Sequence, residues 1–75
     1  MNNDTLITMA NQIGDFFKAY PDSEQAKQDI ASHLKRFWAL RMRKQIVEYA
    51  QEQPGGGLLP IVEEAIKQHK ANLLV

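Results

Sequence analysis

A chain of 75 residues is long enough for one small domain, and a domain of this size buries only about 60% of the surface that its unfolded chain exposes, so its core gives limited stability. The sequence has no cysteine, which excludes disulfides, thiolate catalysis and thiolate zinc sites and leaves a partner surface as the natural means of added stability. Nine basic and nine acidic residues give a formal net charge of zero, which argues against general binding to polyanions.

The first predicted helix covers about Thr5 to Ala19, with Asn3 or Asp4 as its N-cap. Gly14 lies inside it, where glycine costs about 1 kcal/mol of helix propensity relative to alanine. Gly14 therefore indicates either a close helix crossing or an incidental small residue. The apolar residues of this helix recur every three or four positions, at Leu6, Met9, Ala10, Ile13, Phe16, Phe17 and Tyr20.

The second predicted helix covers about Ser23 to Trp38. Pro21 ends the preceding helix, because the residue before a proline is pushed out of the α region. Asp22 is the expected N-cap, and Gln25 three residues later makes a variant of the capping box. The predicted buried stripe of this helix is Ala26, Ile30, Leu34, Phe37 and Trp38.

A third helix is predicted from Ala39 to Gln53, with its apolar side at Met42, Ile46, Val47 and Ala50. A single helix through residues 23–53 would be far longer than the mean of about 12 residues in globular proteins. We therefore expect a bend or short break near Trp38 to Leu40.

Pro54 and three glycines predict a flexible loop near residues 53–58, since these residues cannot hold a regular helix. Pro60 suits the first turn of a fourth helix that runs to about Asn72. The last three residues, Leu73 to Val75, are expected to be a frayed end rather than a hydrophobic plug for a partner. The predicted fold is all-α, a small single-domain bundle of three to four short helices over residues 1–75.

The segment HLKRFWALRMRK, from His33 to Lys44, holds five of the nine basic residues together with Phe37 and Trp38. One interpretation places the rings in the core beneath a solvated cationic face. The other makes the segment a docking corner between helices two and three, because tryptophan and arginine carry much of the energy of protein interfaces. We assign Phe37 to the core, whereas Trp38 could belong either to the core or to the docking surface. The candidate partner-binding residues are Arg36, Trp38, Arg41 and Arg43, with the three arginines facing outward.

No catalytic, cofactor-binding or metal site is predicted. The two histidines, His33 and His69, lie on different predicted helices, and neither has a carboxylate or histidine at a ligand spacing that stands out. Glu63 and Glu64 are adjacent, so on a helix they point about 100° apart and cannot share a proton. These residues are interpreted as solvated or packed side chains.

Four runs of the sequence, Met9–Phe17, Asp29–Trp38, Arg41–Arg43 and Leu58–Ala65, resemble the delta subunit of the NAD-dependent, molybdenum-containing formate dehydrogenases. The resemblance covers nearly the whole chain. It departs from the expected family pattern F-W-D-P-R-M-R at Ala39-Leu40, which removes an N-cap acid and a proline at the start of the third helix. The break there is thus less strongly encoded, and a more continuous helix is an alternative.

The resemblance implies a small non-catalytic subunit of a soluble, cytoplasmic complex that oxidises formate with NAD. It would have no cofactor of its own; molybdenum bis-pterin, iron-sulfur clusters and flavin are expected in the partner subunits. Its partner would be the catalytic alpha subunit, which it would stabilise or help to mature. A cytosolic location also agrees with the sequence, because no stretch approaches the ~18 apolar residues of a membrane span. Two alternatives stay open, a helical nucleic-acid-binding module using the same cations and a homodimeric bundle of the isolated chain.

Overall fold

The computed structural model describes residues 2–75. Within them the chain forms five helices and no strand, which confirms the all-α prediction. The helices are α1 (Asn3–Phe17), α2 (Ser23–Phe37), α3 (Leu40–Glu52), α4 (Pro60–Gln68) and α5 (Lys70–Leu73). None of the helices formed by this part of the chain has the length and apolar character needed to cross a membrane.

The N-terminal ends of α1 and α2 are capped by side chains. Asn2 Oδ1 accepts a hydrogen bond from the Thr5 backbone N–H at 2.8 Å, so the prediction of Asn3 or Asp4 as the cap is wrong by a residue or two. Asp22 Oδ1 accepts from the backbone N–H groups of Glu24 and Gln25, which confirms the predicted cap. The Gln25 side chain instead donates to Asp29 Oδ1 at 2.9 Å, so it does not complete a capping box.

The predicted break between α2 and α3 is present at two residues. Trp38 (φ −93°, ψ 137°) and Ala39 (φ −60°, ψ 151°) are both extended. Ala39 makes no side-chain cap to α3, so no local capping group encodes the break. The more continuous helix, which the Ala39-Leu40 pair left open, does not form.

One hydrophobic core joins all five helices. Its fully buried large side chains are Leu6, Ile30, Leu34, Ile46, Val62, Ile66 and Leu73. The expectation that the last three residues are frayed is therefore wrong for Leu73, which α5 places in the core. The assignment of Phe37 to the core is also wrong, because 66% of its surface is exposed.

Gly14 lies at a close contact between α1 and α4. A Cβ atom built on Gly14 would overlap Val62 Cγ2 and lie 3.4 Å from Leu59 Cδ1. Val62 is completely buried and has no room to move aside. Of the two interpretations of Gly14, the close helix crossing is the one that the structure supports.

The loop before α4 is held by hydrogen bonds from side chains of α1 and α3. Asn11 Nδ2 donates to the Gly57 carbonyl at 2.8 Å, and Asn11 Oδ1 accepts from the Leu59 backbone N–H at 2.9 Å. The Tyr49 hydroxyl donates to the Gly56 carbonyl. Two of the glycines are required by the backbone, because Gly55 (φ 74°) and Gly57 (φ 108°) lie in the left-handed region. The flexibility of this loop stays a prediction.

Lys27 is a buried cation between α2 and α4. Its Nζ donates to Glu24 Oε1 at 3.1 Å and to Glu64 Oε1 at 3.3 Å. The hydrogen bond to Glu24 raises the pKa of Lys27 above its ordinary value, and the smaller effect of desolvation opposes this. The Glu64 contact raises the pKa further and links two helices.

The Gly14→Ala variant should be less stable than the natural chain by about 1 kcal/mol. Overpacking against Val62 costs roughly 1–3 kcal/mol, which outweighs the roughly 1 kcal/mol gained in helix propensity. Urea unfolding followed by circular dichroism measures the change. Gln12→Ala, at an exposed position of the same helix, is the control and should be nearly neutral. A gain in stability for Gly14→Ala would contradict the close crossing.

Lys27→Met should change how stability depends on alkaline pH. Since the folded-state pKa of Lys27 is raised, its contribution is complete below the unfolded pKa of about 10.4 and is lost as pH rises through the folded-state value. The natural chain should therefore lose more stability than Lys27→Met as pH increases beyond about 10. Lys67→Met, which removes an exposed lysine, serves as the control in urea titrations across this range. If the free energy of unfolding changed with pH in the same way for all three proteins, the raised folded-state pKa of Lys27 would be refuted.

Candidate docking surface

The structure divides the four candidate partner-binding residues into an exposed pair and a buried pair. Arg36 and Arg41 are exposed. Trp38 is only 7% exposed and Arg43 only 8%. The prediction that Arg43 faces outward is wrong. For Trp38 the sequence allowed either the core or the surface, and the structure places it in the core. The four residues thus do not form one continuous surface.

Arg43 is buried because its guanidinium binds three backbone oxygens. Nε donates to the Trp38 carbonyl at 3.2 Å, and Nη1 donates to the backbone oxygens of Leu73 at 3.1 Å and Val75 at 2.9 Å. The cation therefore joins the α2–α3 break to the last turn of the chain. Cations are favourable at such helix C-terminal ends, where carbonyl groups lack partners within the helix.

A group of exposed and half-buried rings lies on α1, α2 and the turn between them. We call it the aromatic face and define it as Phe16, Phe17, Tyr20, His33 and Phe37. Ring centroids of Phe17 lie 5.0 Å from Phe16, 5.3 Å from Tyr20 and 6.4 Å from His33, and those of His33 and Phe37 lie 4.7 Å apart. Each ring thus contacts the next, and the five form one continuous surface.

The aromatic face is unusually open to solvent for its composition. Phe16 is 71% exposed, Phe37 66% and Tyr20 38%. Isolated exposed apolar residues are common, but a contiguous exposed cluster marks an interaction site. We therefore regard the aromatic face as the candidate docking surface of this chain.

The sequence contained a signal for this surface that the apolar stripes concealed. Phe16 and Phe17 are adjacent in α1, and Phe37 is followed at once by Trp38. Adjacent residues of a helix point about 100° apart, so two neighbouring aromatics direct their rings differently. In each pair one ring is packed inward and the other is left exposed.

Arg36 lies at the edge of the aromatic face. Its guanidinium carbon is 5.5 Å from the centroid of the Phe37 ring, which is a cation–π contact. Within residues 2–75 Arg36 forms no ion pair or hydrogen bond. Its charge is therefore available to a partner.

A shallow, open cleft runs along the aromatic face. It is lined by Phe17, Asp29, Ser32, His33, Arg36 and Phe37. The Asp29 carboxylate in it already accepts a hydrogen bond from Gln25. The cleft is a groove between exposed and half-buried side chains.

The described residues contain no group of three or more histidine, cysteine, aspartate or glutamate side chains that could hold a metal ion. In the same part of the chain, every buried side-chain nitrogen and oxygen has a hydrogen-bond partner. The nucleic-acid hypothesis is also weakened, because it relied on Arg43 as one of its cations. Of the five basic residues in the segment from His33 to Lys44, three are exposed, namely Arg36, Arg41 and Lys44.

Comparison with known proteins finds one family. A family model described as the NADH-dependant formate dehydrogenase delta subunit FdsD matches residues 5–66. The matched range includes the whole aromatic face and Arg43, and it ends before α5. No curated protein and no solved structure matches the chain.

Replacing Arg43 with methionine should destabilise the fold by at least about 2 kcal/mol, because the buried backbone oxygens of Trp38 and Leu73 lose their donor and each unpaired buried group costs roughly 1–3 kcal/mol. Arg41→Met is the matched control. Arg41 is exposed and should change stability by less than about 0.5 kcal/mol. Chemical unfolding of the two variants tests this expectation, and equal stabilities would show that the Arg43 bonds contribute little.

Proposed function

Because the chain belongs to the FdsD family of formate dehydrogenase delta subunits, we propose that it is a non-catalytic subunit that docks on the catalytic subunit of the complex. There it stabilises the catalytic subunit or assists its assembly. The observation that carries the proposal is the family match over residues 5–66 of the 75. The proposal also agrees with the character of the surface, which offers exposed rings and an unpaired cation.

The small size of the chain supports a role as a docking module. Its core is built from short helices, and its largest exposed apolar residues are Phe16 and Phe37. Covering these rings in a complex would remove apolar surface from water and add to the limited stability of a domain of this length. Both partners would therefore gain stability from the association.

The redox chemistry of the complex belongs, in this proposal, to the other subunits. We expect them to hold the molybdenum bis-pterin, the iron-sulfur clusters and the flavin, and we expect the complex to be cytoplasmic. The delta subunit would act through contact alone. Of the four predicted partner-binding residues, Arg36 and Arg41 are exposed, and Arg36, which borders the aromatic face, is the one proposed for that contact, while Trp38 and Arg43 would support the corner from inside.

Co-expression with an affinity-tagged catalytic subunit tests the proposal. The chain should co-purify with the tagged subunit, and omitting it should lower the yield of assembled enzyme at least about twofold, since a ligand that binds only the native state stabilises it. Leu34→Asp is a suitable negative control. It places a charge at a completely buried position, so the variant should neither fold nor co-purify.

The proposal would be contradicted if the folded natural chain failed to co-purify and its omission changed neither the yield nor the formate dehydrogenase activity. Analysis of the tagged complex by gel filtration and by absorbance of the bound redox groups separates a loss of assembly from a loss of cofactor. A normal yield of protein with fewer redox groups would favour the role in assembly over simple stabilisation.

A further inference from the structure

We propose that the aromatic face together with Arg36 is the surface that contacts the partner subunit, and that it takes an acidic, amphipathic segment in which apolar side chains lie next to a carboxylate. This inference rests on the proposed function, which names the partner but not the surfaces. It moves the docking surface away from the α2–α3 corner and toward α1.

The aromatic face favours an apolar occupant, because its most exposed rings are packed against other rings that hold them in place. Phe16 and Phe37 are the most exposed rings of the face, at 71% and 66%. They are backed by the half-buried rings of Phe17 and His33, to which they lie 5.0 and 4.7 Å away. The rings are thus already positioned before a partner arrives, which lowers the entropy cost of binding.

The charged side chains near the aromatic face favour an acidic occupant, because Arg36 has no partner whereas the neighbouring carboxylates are hydrogen-bonded. The Asp15 carboxylate is paired with Lys18 Nζ at 2.8 Å, and Asp29 accepts a hydrogen bond from Gln25. Arg36 alone at the face has neither an ion pair nor a hydrogen bond among residues 2–75. Gln25 is neutral, so Asp29 keeps its charge, but Arg36 is the charged group at the face to which no other group is bound, and a carboxylate would bind it.

The placement of Arg36 suits a carboxylate in particular. Its guanidinium carbon lies 5.5 Å from the centroid of the Phe37 ring, and its N–H donors form no hydrogen bond or ion pair among residues 2–75. Those donors can bind both oxygens of one carboxylate. An occupant that covers Phe37 with an apolar side chain would bring a neighbouring carboxylate within reach of Arg36.

Two other occupants fit the face less well. A second copy of this chain would bring a second Arg36, and the carboxylate that it has in the cleft, Asp29, would have to share its hydrogen bond with Gln25 in order to pair with Arg36. A nucleic acid would need several cations along its phosphates, and the aromatic face supplies only one. An acidic apolar segment satisfies both the rings and the cation.

Paired variants test the surface. Phe37→Ser removes a ring of the aromatic face, and Leu40→Ser removes a side chain that is exposed to 38% outside it. Arg36→Gln and Arg41→Gln each remove one exposed arginine charge. Each fluorescently labelled variant is titrated with formate dehydrogenase complex prepared without its delta subunit, after circular dichroism has shown that the variant is folded.

We expect Phe37→Ser and Arg36→Gln to weaken binding at least about tenfold, the change typical of residues that carry interface energy. Leu40→Ser and Arg41→Gln should change the Kd by less than about threefold. The natural chain should also lose affinity as salt rises, and Arg36→Gln should lose less, because a charge pair at an interface rim is screened by salt.

Three results would overturn the inference while leaving the proposed function intact. The first is tight binding of the natural chain that Phe37→Ser and Arg36→Gln leave unchanged. The second is equal salt dependence of the natural chain and Arg36→Gln, which would remove the acidic partner segment. The third is a dimer of the isolated chain, seen by sedimentation, that Phe37→Ser dissociates, which would make a second copy the occupant. No binding by the folded natural chain would instead overturn the proposed function and the inference together.

Discussion

The hydrogen bonds of Arg43 determine how the middle of this chain is arranged. The guanidinium binds the carbonyl of Trp38 at the break between α2 and α3 and the backbone oxygens of Leu73 and Val75 at the last turn. No side-chain cap from Ala39 supports that break, so the guanidinium of Arg43, five residues after Trp38, ties it to the end of the chain. Trp38 and Leu73 of α5 both lie in the core.

The neighbours Phe37 and Trp38 lie on opposite sides of the boundary between core and solvent. Adjacent side chains at the end of a helix point in different directions, and here Trp38 is 7% exposed whereas Phe37 is 66% exposed. Phe37 contacts His33, and His33 contacts Phe17 of α1, so Phe37 is part of the aromatic face. The end of α2 thus contributes one ring to the core and its neighbour to the proposed docking surface.

The aromatic face and the family together define a consistent role. The chain belongs to a family of formate dehydrogenase delta subunits, and its described residues contain no cluster of potential metal ligands. Its candidate docking surface is the aromatic face, with the unpaired Arg36 at the edge. A surface of this kind binds by covering apolar area and neutralising a charge, as the proposed docking role requires.

The sequence by itself determined the helical class, the Asp22 cap, the break before α4 and the family, because these depend on local propensity, on short-range hydrogen bonds and on motifs read in order. Tertiary structure alone decided which aromatic of each neighbouring pair is buried, why Arg43 turns inward, and that Leu73 completes the core. Helical periodicity shows that a helix has two faces, but the neighbouring elements decide which residues each face covers. The oxygens that hold Arg43 are as many as 32 residues away along the chain, beyond the reach of any local pattern.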